Sequence, residues 1–256
     1  MIKVSSTTNS KYKYIKSLMT KKARIQNREY TVEGIKSVCD AINSGAFVTT
    51  IAVSDSFFAN NDFSYPEGAE LIVVSDAIFE PLCDTKNPQG IIAVIKMKDF
   101  GEFCFGANSA CVYCDDVRDP GNLGTIIRTA EAAGMNAVLL SPKCVDIYSP
   151  KVVRASMGSY FNIDIIPDVT VEDLERFKSA GVKLIGGALG DNTLDYREVD
   201  YSLPVAIVVG NEANGISDEV LKLCQCVKIP IYGKAESLNV SIASGILIYE
   251  IFRNKA

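Results

Sequence analysis

The chain has 256 residues, of which 48% are hydrophobic and 22% charged, a composition that fits a globular protein of one large or two modest domains. Net charge is −5 and histidine is absent, which excludes Ser-His-Asp and Cys-His catalysis and every histidine-containing metal site. No apolar run approaches the ~20 residues of a membrane span, and the N-terminal stretch lacks the apolar core of an export leader. With eight cysteines spread along the chain, these features predict reduced thiols and a cytoplasmic location.

The charge is uneven. Residues 1–36 hold nine Lys or Arg (Lys3, Lys11, Lys13, Lys16, Lys21, Lys22, Arg24, Arg28, Lys36) against Glu29 and Glu33, so that segment is +7 and the remainder −12. This asymmetry is what a polyanion-binding patch or a solvated basic helix presents. From Lys11 to Gly45 the pattern is helical, interrupted near Asn27 and resumed at "TVEGIKSVCDAINSG". There Val32, Ile35, Val38 and Ile42 recur at helical spacing and Gly45 closes the helix. "FVTTIAVS" and "ELIVVSD" read as strands, "AIFEPLC" as helical and "GIIAVIKM" as a further strand. These elements predict a small α/β domain over residues 1–100, followed by a linker over 101–109.

Over 110–256, the short apolar runs "CVYCDDV", "AVLLS", "FNIDIIP", "VKLIGGAL", "VAIVVG" and "CVKIPI" alternate with helical segments. Continuous apolar strands of this kind predict a mostly parallel sheet covered on both faces, with ligands at the carboxyl ends of its strands.

Three loops carry the candidate chemistry. "DPGNLGTIIRTAEAAG" (119–134) opens a helix that buries Leu123, Ile126, Ile127 and Ala130 and projects Arg128 from a face of small residues. That face suits either a body packed closely over it or an ordinary salt bridge. In "VAIVVGNEANGIS" a strand ends in Gly210, Glu212 sits directly at its carboxyl end, and Ser217 is expected to cap a helix. In "KIPIYGKAESLNVSIASGILIYEIF" a strand ends at Ile229-Pro230 and Ser237 is the expected cap of the last helix. Ser237, Ser241, Ser244 and Gly245 form a small-residue stripe there, which predicts close packing against a partner helix or the chain itself.

These three segments, in this order and at these separations, resemble the three motifs of the SpoU (TrmH) family of RNA ribose 2′-O-methyltransferases in the SPOUT superfamily. "YSPKVVRASMGSYFNIDII" is similar to that family too, while "KKARIQNREYTVEGIKSVCDAINSG" and "TKNPQGIIAVI" resemble its N-terminal RNA-substrate-binding domain. The likeness runs from about residue 17 onward. It implies an α/β catalytic domain with a trefoil knot, binding S-adenosyl-L-methionine (AdoMet) and working as a homodimer on structured RNA, ribosomal before transfer RNA. It also implies that Arg128, Asn122, Glu212, Ser237 and Asn239 act in catalysis, with Glu212 orienting Arg128. Gly210, Ile229, Leu238 and Leu189 would line the cofactor pocket, without any metal. A non-catalytic RNA-binding relative is the alternative from another class.

Two further readings are weaker. "CVYC" and "CQC" lie in or beside strands and lack the loop spacing of a zinc ribbon, so buried thiols are expected. "GGALGDN" lacks the G-x-G-x-x-G of a dinucleotide loop.

Overall fold

The structure, a computed structural model, describes residues 1–190 and 193–253. Contacts divide it into two compact units, Met1–Asp99 with Asp146–Phe161, and Phe100–Val145 with Asn162 onward. The linear division expected at 100 and 110 differs in two segments: 146–161 belongs to the first unit, and the expected linker 101–109 belongs to the second, with Phe103 and Phe105 packed against its core.

The first unit runs β1 (Ile2–Val4), α1 (Ser10–Ser17), α2 (Lys21–Asn27), β2 (Glu29–Glu33), α3 (Ile35–Asn43), β3 (Val48–Ser54), α4 (Asp55–Asn60), β4 (Glu70–Val74), α5 (Asp76–Phe79) and β5 (Ile91–Lys96). Its sheet has the order β1-β4-β3-β5-β2, with β1, β4 and β3 parallel and β5 antiparallel to both neighbours. The expected strands β3, β4 and β5 are present. β1 and β2 are not foreseen by the sequence reading, which took "TVE" as the start of a helix. Thr31, Val32 and Glu33 instead pair with Val94, Ala93 and Ile92. Gly34, at φ 89°, turns the chain into α3, which starts only at Ile35. The helical spacing of Val32 was coincidental: a strand buried on both faces and a helix share an apolar look over five residues.

The second unit begins with β6 (Ala110–Cys114), α6 (Pro120–Ala132) and β7 (Ala137–Leu140). The chain visits the first unit for α7 (Pro150–Ala155) and returns for β8 (Asp164–Ile166), α8 (Val171–Ser179), β9 (Lys183–Gly187), β10 (Leu194–Asp195), β11 (Val205–Val209), α9 (Asp218–Leu221), β12 (Gln225–Lys228) and α10 (Val240–Phe252). Among the described residues these strands form one all-parallel sheet, ordered β10-β12-β9-β11-β6-β7-β8. Tyr113, Leu139 and Val208 pack on one face with Leu174, Phe177 and Val220. Strand residues of opposite parity are buried as well, so both faces are covered.

Segment 146–161 is fixed to the first unit by polar and aromatic contacts. Arg24 is 4% exposed; its Nε and Nη2 donate to Asp146 at 3.2 and 2.6 Å, and its Nη1 to the carbonyls of Leu18 and Met19 at 2.8 and 2.9 Å. Arg154 pairs with Asp84 at 2.6 Å, and Tyr30 packs against Tyr148 and Tyr160. One of the nine basic residues of the N-terminal segment is therefore a core group. Removing one member of a buried pair strands the other charge. Arg24→Met is thus expected to cost about 3–5 kcal/mol in denaturant unfolding, with Arg24→Met/Asp146→Leu recovering part of the loss. A cost of the single change below about 1 kcal/mol, the level of a surface pair, overturns this account.

Candidate active site

The site is built at the carboxyl edge of β6 and β11. Beyond β6, Asp115 is buried and its Oδ2 accepts the Ser217 N–H at 2.8 Å. Asp116 adopts φ 56°, and its carbonyl accepts Asn211 Nδ2 at 2.8 Å. Asp119 then caps α6, its Oδ1 accepting the Asn122 N–H at 2.8 Å, with Pro120 in the first turn. Proline fits there because its φ is already helical and its missing N–H would have had no partner. Asp115, Asp119 and Asn211 are structural supports that the sequence reading did not single out; the Asp-Pro step was the available signal for the cap at Asp119.

Beyond β11 the chain turns back on itself. Asn211 and Gly215 exchange two backbone hydrogen bonds at 2.9 Å. A Cβ on Gly210 would lie 2.1 Å from the Gly215 backbone, so this position admits only glycine. The Asn211 Oδ1 accepts the N–H groups of Ala213 and Asn214 at 2.9 and 3.1 Å, which shapes the loop that carries Glu212.

The Glu212 carboxylate lies across the N-terminus of α6. Its Oε1 accepts the Asp119 N–H at 3.1 Å and Asn122 Nδ2 at 2.9 Å, and its Oε2 accepts the Arg118 N–H at 3.3 Å. Asn122 Oδ1 in turn accepts Asn239 Nδ2 at 2.9 Å, and Asn239 Oδ1 accepts Ser241 N and Oγ at 2.9 and 2.6 Å. One relay, Glu212–Asn122–Asn239–Ser241, thus ties the three loops together. Partial burial alone would raise the Glu212 pKa. The Asn122 amide and the backbone donors outweigh it, and the carboxyl sits below its ordinary value.

Two expectations are corrected. Asn239, not Ser237, caps α10, because the helix starts at Val240; Ser237 lies exposed in the preceding loop. Glu212 does not hold Arg128. Arg128 lies six residues beyond Asn122, about 9 Å farther along the helix axis and on another side of it, whereas Glu212 is committed to the first turn. Arg128 is exposed, as are Thr125 and Ala132, and among the described residues no carboxylate pairs with it. Ser217 precedes α9 as expected but caps it without a side-chain hydrogen bond. The small stripe of α10 packs against its own chain: Ser241 and Ser244 are buried, and a Cβ on Gly245 would meet Thr129 of α6 at 3.6 Å.

Gly210, Ile229 and Leu189 follow the ends of β11, β12 and β9, which are neighbours in the sheet. Gly210 is buried, Ile229 half-buried, Leu238 38% exposed and Leu189 64% exposed. In "GGALGDN", residues 191–192 lie outside the described residues. All eight cysteines are free thiols, with Cys111 and Cys114 buried and Cys224 and Cys226 half-buried.

Because the Glu212 carboxyl is held below its ordinary value of about 4.3, its stabilising contribution is complete above that pH and is lost as pH falls through the lowered value. Glu212→Gln is therefore expected to lower the melting temperature most near neutral pH, the gap closing below about pH 4. A gap that stays constant down to about pH 3 overturns the assignment.

Residues 109–249 match the SpoU rRNA methylase family, and residues 9–93 the MRM3-like substrate binding domain. The 23S rRNA (guanosine(2553)-2′-O)-methyltransferase RlmP of Bacillus subtilis (strain 168) is 35% identical over 98% of this chain and 99% of its own. The crystal structure of an AdoMet-bound rRNA methyltransferase from Sinorhizobium meliloti superposes with a TM-score of 0.88 at 33% identity, covering 99% of this chain and 98% of that one. The SpoU methyltransferase AviRb from Streptomyces viridochromogenes, in complex with AdoMet, superposes with a TM-score of 0.82 at 26% identity, over 96% and 99% of the two chains. A relay closing on the three loops, a matching catalytic-domain profile and full-length likeness agree: the chain belongs to the SpoU rRNA methylase family, the AdoMet-dependent RNA ribose 2′-O-methyltransferases.

Proposed function

We propose that this protein methylates a ribose 2′-hydroxyl of ribosomal RNA as a cytoplasmic homodimer, with Arg128 as its central catalytic residue. The observation that carries this reading is the pairing state of α6: Asn122 in its first turn is held by Glu212 and Asn239, while Arg128 two turns on presents an exposed guanidinium with no acidic partner among the described residues. Relatives named as enzymes of 23S rRNA support the choice of RNA.

The edge formed by β11, β9 and β12 suits AdoMet. Leu189 and Leu238 expose apolar surface that a purine would cover, and Gly210, Leu189 and Ile229 follow neighbouring strand ends there. AdoMet supplies an electrophilic methyl group when bound. The 2′-oxygen must gain negative character as it accepts that carbon. A guanidinium is a poor base, so Arg128 serves as a fixed positive fork beside the developing alkoxide and its neighbouring phosphate. The proton leaves to solvent or to a phosphate oxygen. Asn122 and Asn239 each spend one amide N–H within the relay and keep the second for the ribose. Ser237, exposed beside them, is within the same loop for substrate contact.

The dimer reading draws on α10. Ile242 and Tyr249 are 54% and 53% exposed on a helix that otherwise packs against α6, a face that a second copy would cover. The knotted threading belongs to the same proposal; its support is the sheet order, with β12 between β10 and β9, and the seating of α10 on α6, β9 and β11.

RNA recognition is assigned to residues 1–100. Lys3, Lys13, Lys21, Lys22 and Lys36 are exposed and have no acidic partner among the described residues, whereas Lys11 pairs with Glu70 and Arg28 with Asp99. Tyr12 and Tyr30 are buried, so bases do not stack on them.

Arg128→Ala is expected to lower kcat for tritiated methyl transfer by about 10²–10³, with AdoMet affinity and a dimeric sedimentation profile unchanged. Activity within tenfold of the parent, or loss of folding, removes Arg128 from this role. Lys13→Glu/Lys21→Glu/Lys22→Glu is expected to weaken RNA binding and flatten the salt dependence of log K by about 1 per lost phosphate contact. An unchanged slope takes those lysines out of the RNA footprint.

A further inference from the structure

The turn that delivers α6 carries a second arginine, Arg118, whose side chain the reaction described above leaves unused. Its backbone N–H serves Glu212, but its guanidinium turns to another acid. Nε donates to Asp116 Oδ1 at 2.8 Å and Nη2 to Asp116 Oδ2 at 2.9 Å. The arginine side chain is nonetheless 68% exposed, against 19% for its partner. A pairing of this kind occupies one edge of the planar guanidinium. The other edge, formed by Nη1 and the second N–H of Nη2, finds no acceptor among the described residues and faces solvent.

Asp116 is a fixed anchor for that fork. Its N–H donates to Ser141 Oγ at 2.8 Å, and its carbonyl accepts Asn211 Nδ2 at 2.8 Å. Val117, the residue between the pair, is buried, and its carbonyl accepts the Val145 N–H at 2.9 Å. The turn is thus pinned at its core side while Asp116 and Arg118 pair on its outer side. Asp116 also holds φ 56°, a left-handed backbone that glycine adopts more readily. Glycine there would leave Arg118 without its carboxylate, and strain of this kind is kept where a site needs it.

The acids around the fork are committed. Asp119 and Glu212 accept N–H groups at the positive end of α6, and buried Asp115 accepts the Ser217 N–H. Along the chain Arg118 precedes Asn122 by four residues and Arg128 follows it by six, about 6 and 9 Å along the helix axis. The amide groups assigned to the ribose therefore stand between two arginines. With Arg118 turned back onto Asp116, the two forks serve different phosphates. An open edge with two parallel N–H donors and a positive charge matches two oxygens of a phosphate. In an RNA whose ribose lies at Asn122 and Asn239, the acceptor of that shape is the backbone of a neighbouring nucleotide.

We propose that Arg118, oriented by Asp116, positions the substrate by gripping a backbone phosphate beside the modified ribose, on the side away from Arg128. This rests on the ribose-methylation reading and adds to it the contact that fixes where along the strand the target sits.

The test uses the full-length protein with Arg118→Ala, Arg118→Lys and Asp116→Asn. One arm measures methyl incorporation into ribosomal RNA from cells lacking this protein. The other measures filter binding of the same RNA across a potassium chloride series. Arg118→Ala is expected to raise KM for RNA by about 10- to 100-fold, the range of a charge-assisted two-point contact, with kcat unchanged. Its salt slope should fall by about 1. Arg118→Lys should restore the slope, because the charge remains, but not the KM, because the fork is lost. Asp116→Asn suits the same left-handed backbone, removes a negative charge and releases the guanidinium; KM should rise despite the more favourable charge. A lower KM in that variant overturns the clamp in favour of a general charge effect. Parental KM and slope in Arg118→Ala overturn the proposal outright. AdoMet affinity and melting temperature should match the parent, and their loss with a parental salt slope overturns it in favour of a purely structural pair. If the parent transfers no methyl group, the enzymatic reading fails, while the salt slope of the binding arm still decides the role of Arg118.

Discussion

The catalytic unit depends on one carboxylate. Glu212 rests on the first turn of α6, where backbone N–H groups have no helical partner and the helix presents its positive end. By filling those donors and binding Asn122, it fastens the loop after β11 to the helix after β6. Asn122 passes the connection to Asn239, the cap of α10. Asn239 both caps α10 and joins the relay, so that helix end and the site cannot be varied separately.

This use of Glu212 leaves Arg128 without an acidic partner among the described residues. A guanidinium paired within its own chain would already be neutralised and oriented inward. An exposed one on a face of Thr125 and Ala132 can be approached closely by a polyanion. Gly210 has the complementary character: it removes a side chain where the backbone folds back within 2.1 Å of a would-be Cβ.

The first unit shows why a count of charges is a poor guide to a binding surface. Of the nine basic residues in segment 1–36, Arg24 is a core ion pair and Lys11 and Arg28 are matched by acids. The lysines of α1 and α2 that remain exposed are the ones with charge to offer RNA. The tyrosines interleaved with them are largely buried and bind the unit together instead, Tyr30 against Tyr148 and Tyr160.

The sequence by itself determined the α/β class, the parallel strands of the second unit, the buried stripe of α6 and the three loops at strand ends. These features follow from local periodicity and from turn residues such as Pro120, Gly210 and Gly215, whose backbone preferences travel with them. Only the tertiary structure decided that "EYTVE" is a strand, that 146–161 belongs with the first unit, that Asn239 and not Ser237 caps α10, and that Glu212 serves Asn122 and not Arg128. The physical reason is separation along the chain: the Glu212–Asn122 and Asn122–Asn239 hydrogen bonds join residues 90 and 117 positions apart. Such partners are chosen by which strand ends become neighbours in the sheet, and no local pattern carries that order.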